Sequence, residues 1–330
     1  MNAQILKRVV RAIAERSQPD LDQLAQKLVE SERRTGHRKL ADELDAILRT
    51  AQPRVNARNE VISRHLQQLP TSRRHGDLLA SNVPRELLQH DMVLPPQTEE
   101  RFARIEAEYA ARDRLGAFGL RPRKTILLYG PPGCGKSLGA KRLAWNTGLP
   151  LLKVRFDALL SSYFGESASN LRLVFEAAKE RQCVLLLDEC DFIARSRMTG
   201  KDIGEASRIV NSLLQFMEDY DAPGLLVATT NVEKSLDEAL FRRFDDVFEV
   251  PLPGVSEIER LLWMTLSGIH VEEGMDWKRI ASGLIGSSAA TVVKVAQDAA
   301  KSAVLTGRKF VTEANIRQAI SDTKKAESTS

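Results

Sequence analysis

Between Gly130 and Ser137 the chain reads Gly-Pro-Pro-Gly-Cys-Gly-Lys-Ser, directly after the apolar run Ile126-Leu127-Leu128-Tyr129. An apolar run that stops at a glycine-rich loop, followed at once by a lysine and a hydroxyl, predicts a buried strand, a phosphate-gripping loop and a helix start. That succession belongs to an α/β fold with helices packed on a parallel sheet. Gly130, Gly133 and Gly135 allow successive backbone N–H groups to turn inward around an anion without Cβ clashes, at the positive end of the next helix. Lys136 supplies a mobile point charge for the β and γ phosphates, and the hydroxyl of Ser137 suits a Mg²⁺ ligand. The segment expected to hold ATP thus runs through Gly130, Pro131, Pro132, Gly133, Cys134, Gly135, Lys136, Ser137 and Leu138. Cys134 is read as a small loop residue rather than a redox sensor, because no resolving thiol can be inferred.

A second apolar run, Cys183-Val184-Leu185-Leu186-Leu187, ends in Asp188-Glu189, where the carboxyl edge of a parallel sheet places acidic residues. Alone, an acidic pair there fits a helix N-cap equally well. Following a phosphate loop by about fifty residues, it reads as a Mg²⁺ ligand, Asp188, and a base that orients and deprotonates water, Glu189. Phosphoryl transfer asks for positioning and a base more than for covalent chemistry from the protein.

Gly130 to Ser137, Leu185 to Asp191, Ala228-Thr229-Thr230-Asn231 and Leu236 to Asp245 occur in the order and spacing of a known family. Over roughly residues 90 to 325 the chain resembles the AAA+ ATPases, specifically the AAA clade. The resemblance implies a P-loop NTPase core of parallel sheet and flanking helices, an α-helical lid, and a ring, usually a hexamer, with ATP between neighbouring subunits. It makes Asn231 the sensor of the γ-phosphate or attacking water, although a turn asparagine reads the same in isolation. It places Arg242 and Arg243 at the arginine-finger positions, contiguous as in the meiotic and sorting-type members, where a guanidinium stabilises charge on the neighbour's phosphate. Adjacent arginines are otherwise a solvated surface.

Ser161-Ser162-Tyr163-Phe164-Gly165-Glu166-Ser167 puts two aromatics beside a glycine just before a helix. In a generic protein they would anchor a loop in the core. By resemblance they are the first pore loop, Tyr163 gripping an extended polypeptide and Phe164 supporting it next to Gly165. Arg195 to Asp202 stands where the second pore loop lies, or is a solvated basic loop. Arg208 matches a position near the subunit interface.

Past Pro251 and Pro253 the apolar spacing turns helical, through Ile258, Leu261, Leu262 and Leu266 and again through Val292, Val293, Ala296 and Ala300. This is the expected lid. Gly286-Ser287-Ser288-Ala289-Ala290 stands where the clade carries Gly-x-Ser-Gly-Ala, so Ala289 replaces the second glycine of that pattern. No sensor-2 arginine is recognised, in line with the clade, and the clade's acidic-glycine segment of the adenine pocket is not recognisable around Asp91 to Pro96.

The first fifty residues carry three helical stripes, beginning at Ile5, Leu21 and Leu40. The expected organisation is a helical N-terminal domain over 1–50, a linker with short helices over 51–96, a large ATPase domain over 97–253 in which Glu99 to Leu115 resembles the helix preceding the ATPase sheet, a helical lid over 254–322 and a flexible tail over 323–330. Arg33-Arg34, Arg38-Lys39 and Arg73-Arg74 raise the question of nucleic acid. The basic excess through residue 75 is only about six charges, spread along helices with no aromatic residue to stack on bases, which favours a protein-docking or solvated face. No apolar run approaches the roughly twenty residues that span a bilayer, and the N-terminus lacks a signal-peptide core. With three cysteines that lack metal-ligand spacing, a reducing cytoplasm and no membrane association are expected.

The combined expectation is Mg²⁺-dependent ATP hydrolysis that remodels or threads a protein client through a homo-oligomeric ring. The alternative is an ATP-dependent switch or loader acting on a partner protein or nucleic acid without threading. Gly119 to Arg123 and Ala239 to Asp246 resemble compact stand-alone bacterial AAA ATPases, some paired with a subtilisin-like serine protease, which implies such a protease as a partner.

Overall fold

The computed structural model describes residues 69–72, 76–88, 91–160, 166–190, 203–231, 242–308 and 310–329. The expected N-terminal domain, Tyr163, Phe164 and Gly165, the 195–202 loop and the side chain of Arg208 lie outside the described residues. All described residues belong to one compact unit, Leu69–Ser330.

In chain order the α/β part comprises β1 (Ala80–Val83), α1 (Pro96–Ala110), α2 (Arg112–Ala117), β2 (Thr125–Tyr129), α3 (Lys136–Thr147), β3 (Leu151–Val154), α4 (Phe156–Leu160), α5 (Ser167–Lys179), β4 (Val184–Leu187), α6 (Ile203–Glu218), β5 (Leu225–Thr230) and β6 (Asp246–Glu249). The helical part that follows comprises α7 (Val255–Leu266), β7 (His270–Val271), α8 (Trp277–Ser282), α9 (Ala289–Leu305), β8 (Phe310–Val311) and α10 (Glu313–Thr329).

The sheet order is β1-β3-β4-β5-β2-β6, and every pairing except β1 with β3 is parallel. β4 and β5 are buried along their whole length. A parallel strand covered on both faces needs an unbroken apolar run, which is why Val184–Leu187 and Leu225–Ala228 carry one. Alternation then sorts their side chains. Leu127, Leu185, Leu187, Leu226 and Ala228 pack with Val174 and Phe175 of α5 and with Leu213 and Met217 of α6. On the other face Ile126, Leu128, Leu186 and Val227 pack with Phe102 and Ile105 of α1 and Ala140 and Leu143 of α3. The helical part has its own core, built from Ile258 and Leu262 of α7, Val292, Val295 and Ala299 of α9, and Ile316 of α10. Among the described residues no helix is long and apolar enough to cross a membrane.

Three local features differ from the sequence expectation. The range read as a linker, 51–96, contains β1, which pairs antiparallel with β3 in the register Ala80↔Val154 and makes the sheet mixed. Only Ala80 of this strand is buried, so its place is set by backbone pairing at a sheet edge, which leaves no apolar signal. The helix expected from Glu99 to Leu115 is interrupted at Ala111, whose φ of −94° and ψ of 9° separate α1 from α2. The tail expected over 323–330 is instead helical through Thr329. Lys324 Nζ donates to the carbonyl of Gly283, and Thr323 Oγ1 donates within the helix to that of Ala319.

Candidate functional site

β2 ends at Tyr129 and the chain turns through Gly130, Gly133 and Gly135, with φ of 136°, 75° and 95°. A Cβ on Gly130 would sit 2.4 Å from the carbonyl oxygen of Val250, and one on Gly133 would sit 2.7 Å from Ser288 Oγ. Both positions therefore require glycine for conformation and for space. Gly135 is the N-cap of α3 and provides no side-chain cap, so the first N–H groups of α3 open toward the loop. Lys136 is buried, and its Nζ donates to the carbonyls of Gly130 and Pro131, 2.8 Å in each case, curling the ammonium over the concave side of the loop.

The parallel register brings the other expected residues to the same sheet edge. Leu187 lies opposite Ala228, and Tyr129 opposite Thr230, so Gly130, Asp188 and Asn231 each follow the end of a neighbouring strand. The carboxylate of Asp188 is the hub. Its Oδ1 accepts from Ser137 Oγ and from Thr229 Oγ1, each at 2.7 Å, and its Oδ2 lies 2.6 Å from Lys153 Nζ. Burial works against the charge of Asp188, but the hydrogen bonds from Lys153, Ser137 and Thr229 outweigh it and hold the pKa below its ordinary value. Asp188 is thus a carboxylate fixed in its charged form.

Glu189 follows with φ of 58°, the one non-glycine with positive φ among the described residues. The turn is pinned to β5: Thr229 Oγ1 accepts from the Glu189 N–H at 2.9 Å, and the Thr229 carbonyl accepts from the Cys190 N–H at 2.8 Å. A left-handed glutamate costs on the order of 1 kcal/mol, and here the neighbouring strand holds it in place. Its side chain is exposed at the loop edge.

Arg242 and Arg243 are not part of this cluster. The segment that carries them is fixed at the opposite end of β2: Thr125 Oγ1 donates to the Arg243 carbonyl, and Asp245 Oδ2 accepts from the N–H groups of Lys124 and Thr125. Arg242 is exposed, whereas Arg243 donates to the Leu214 carbonyl at 3.0 Å and pairs with Glu218 at the end of α6. The five residues of β2, roughly 16 Å of strand, separate them from the glycine loop.

A cavity of about 530 Å³ opens beside the loop, between Asp91, Met92 and Val93 on one wall and Met264 of α7 and Val293 and Gln297 of α9 on the other. Its size suits a nucleotide base and sugar. The helical part touches the loop directly, since the N–H of Ala290 donates to the Gly133 carbonyl at 3.0 Å. Replacement of the expected glycine by Ala289 therefore leaves the close backbone approach intact one residue later. Cys134 is buried at this seam, and burial pushes its thiol pKa up, which keeps it protonated and unreactive.

Sequence reading missed several of these residues. Lys153 and Thr229 converge on Asp188 from other strands, and Thr229 lies two residues before Asn231 in a motif whose familiar role belongs to the asparagine. Met92 and Val93 line the cavity although no familiar pattern marks them. Arg142 of α3, with only 9% of its side chain exposed, forks onto Glu99 at 2.7 and 2.6 Å and reaches Glu106 at 2.9 Å, fastening the helix behind the loop to α1.

Comparison with known proteins agrees with this architecture. Residues 126–252 match the family described as ATPase family associated with various cellular activities (AAA). The chain is 33% identical over 303 residues to the AAA family ATPase y4kL of Sinorhizobium fredii, covering 92% of this chain and 90% of that one. It is also 33% identical over 234 residues to the proteasome-activating nucleotidase of Thermococcus onnurineus, covering 69% of this chain and 58% of that protein. The corresponding nucleotidase of Pyrococcus horikoshii is 33% identical over 261 residues, 76% of this chain and 65% of the relative. The chain thus spans less than two thirds of those nucleotidases but nearly all of the Sinorhizobium protein. On that extent of similarity, together with the glycine loop and the sheet edge it sits on, the chain belongs to the AAA family of ATPases.

Proposed function

We propose that this ATPase works as a ring of identical subunits, a hexamer by family resemblance, in which Mg²⁺-dependent hydrolysis in one subunit needs arginines from the next and drives work on a protein client. The observation that carries this reading is the separation between Arg242-Arg243 and the subunit's own glycine loop, at opposite ends of β2. A guanidinium fixed at that far end cannot serve its own phosphate loop, and a neighbour packed against it can use it.

Within a subunit, Gly130 to Leu138 would wrap the phosphates, with Lys136 exchanging its loop carbonyls for phosphate oxygens. Met92, Val93, Met264 and Val293 would flank the base. Ser137 and Asp188 fit a magnesium ion, since a hydroxyl and a charged carboxylate 2.7 Å apart offer two hard oxygens at a helix start. Bound there, the ion would offset charge on the β and γ phosphates. Glu189 would take the proton of the attacking water, Asn231 would orient that water, and Arg242 and Arg243 would offset charge on the neighbour's transferring phosphate.

That the client is a protein rests on the Tyr163-Phe164-Gly165 sequence and on relatives whose names describe nucleotidases that activate a proteasome. On this reading 97–253 works as the large ATPase domain, 254–322 as its lid and 1–50 as the client- or partner-selecting domain, in the cytoplasm. A subtilisin-like serine protease remains the proposed partner.

Subunit mixing tests the ring. Glu189→Gln subunits keep both arginines, and Arg242→Ala/Arg243→Ala subunits keep Glu189, so each pure protein should be nearly inactive while co-assembled mixtures regain measurable turnover. Wild-type turnover by the pure arginine variant, or co-assembled mixtures that stay inactive, would reject the proposal.

A further inference from the structure

Asp188 shares its carboxylate between two kinds of partner. Oδ1 takes the hydroxyls of Ser137 and Thr229, and Oδ2 takes an ammonium, Lys153 Nζ, at 2.6 Å. Lys153 arrives from β3, the strand beside β4, where its register partner is Leu186. Its neighbours Leu152 and Val154 pack into the core on the α5–α6 face, so alternation sends Lys153 to the face that carries α3 and Ser137. The lysine side chain is 45% exposed while that of Asp188 is only 11% exposed. From its strand position a long, partly solvated cation thus reaches a nearly buried carboxylate. Nothing in the hydrolytic scheme above requires it.

We propose that Lys153 is a positioning residue and counter-cation for Asp188: it holds the carboxylate with Oδ1 turned to Ser137, and its charge weakens the grip of the site on the divalent ion that accompanies the nucleotide. The inference rests on the reading of Ser137 and Asp188 as the pair that holds that ion. An ammonium and a divalent cation on one carboxylate repel, and low local dielectric amplifies the repulsion. The lysine therefore sets how readily the ion, and with it the product nucleotide, leaves.

The test is binding without turnover. Fluorescent ADP is titrated with Mg²⁺ onto the full chain as wild type, Lys153→Met, which keeps the stem and removes the charge, and Lys153→Arg, which keeps the charge. Lys153→Met should lower the half-saturating Mg²⁺ concentration by about three- to tenfold and slow ADP release in proportion, whereas Lys153→Arg should stay near wild type. An unchanged or raised Mg²⁺ requirement in Lys153→Met would overturn the proposal. So would equal shifts in Met and Arg variants, which would mark a purely structural role.

Asp188→Asn separates the two layers of the argument. If it abolishes the Mg²⁺ dependence of ADP binding while Lys153→Met changes nothing, the ion-site reading stands and the role of Lys153 falls. If Asp188→Asn keeps a wild-type dependence, the ion-site reading falls and this proposal falls with it.

Discussion

The hydroxyl of Thr229 bridges the two acidic residues at the end of β4: it donates to Asp188 Oδ1 at 2.7 Å and accepts the backbone N–H of Glu189 at 2.9 Å. One side chain of β5 thereby fixes both the direction of a buried carboxylate and the left-handed turn that follows it. Thr229→Val should leave a donor and an acceptor underused at a cost of about 1–3 kcal/mol. ATP turnover is expected to fall roughly tenfold, with nucleotide affinity changing much less, while Thr229→Ser stays close to wild type. Equal turnover in the Val and Ser variants would show that the bridge has no part in the reaction.

Glu189→Gln should bind nucleotide as wild type does, because the glycine loop and Lys136 are untouched. Loss of the base should lower turnover by about a hundredfold or more. Parallel measurement of fluorescent-nucleotide binding and phosphate release decides the matter, and turnover near wild type would remove Glu189 from the mechanism.

Arg142 ties α3 to α1 through Glu99 and Glu106 and lies 5.1 Å from the ring centre of Phe102. Arg142→Met should destabilise the fold by about 2–3 kcal/mol, since it strands two carboxylates around an emptied place. Urea unfolding at neutral pH measures it.

The same pair predicts an acid limb. The hydrogen bond from Arg142 holds the Glu99 pKa below its ordinary 4.5. A carboxylate with a depressed folded-state pKa contributes stability that is complete above its unfolded value and is lost as pH falls through the folded one. Asp188 acts with the same sign. Wild type should therefore lose stability below about pH 4.5, and Arg142→Met should show a shallower decline. Parallel declines in the two proteins would exclude Glu99 as a source.

Tyr163→Ala tests the client. If the ring threads polypeptide, remodelling of a tagged substrate should be lost while basal ATP hydrolysis survives. Full remodelling by the variant would favour the switch or loader.

The glycine loop, the acidic pair after Leu187 and the helical apolar spacing beyond Pro253 were legible because each is written in contiguous residues. Conformational freedom, charge and amphipathic period are local properties of the chain, and they sufficed for an α/β core with a helical region after it. Lys153 and Thr229 were not legible, because they meet Asp188 across 35 and 41 residues of sequence. Neither was the edge strand Ala80–Val83, held by backbone pairing. Nor could the sequence tell that Arg242 and Arg243 end up at the far end of β2 from Gly130. Those relationships follow from the strand order β1-β3-β4-β5-β2-β6, which decides what lies beside what. Alternation along a strand says which face a side chain takes, but the neighbour it meets there is chosen only when all six strands pair at once.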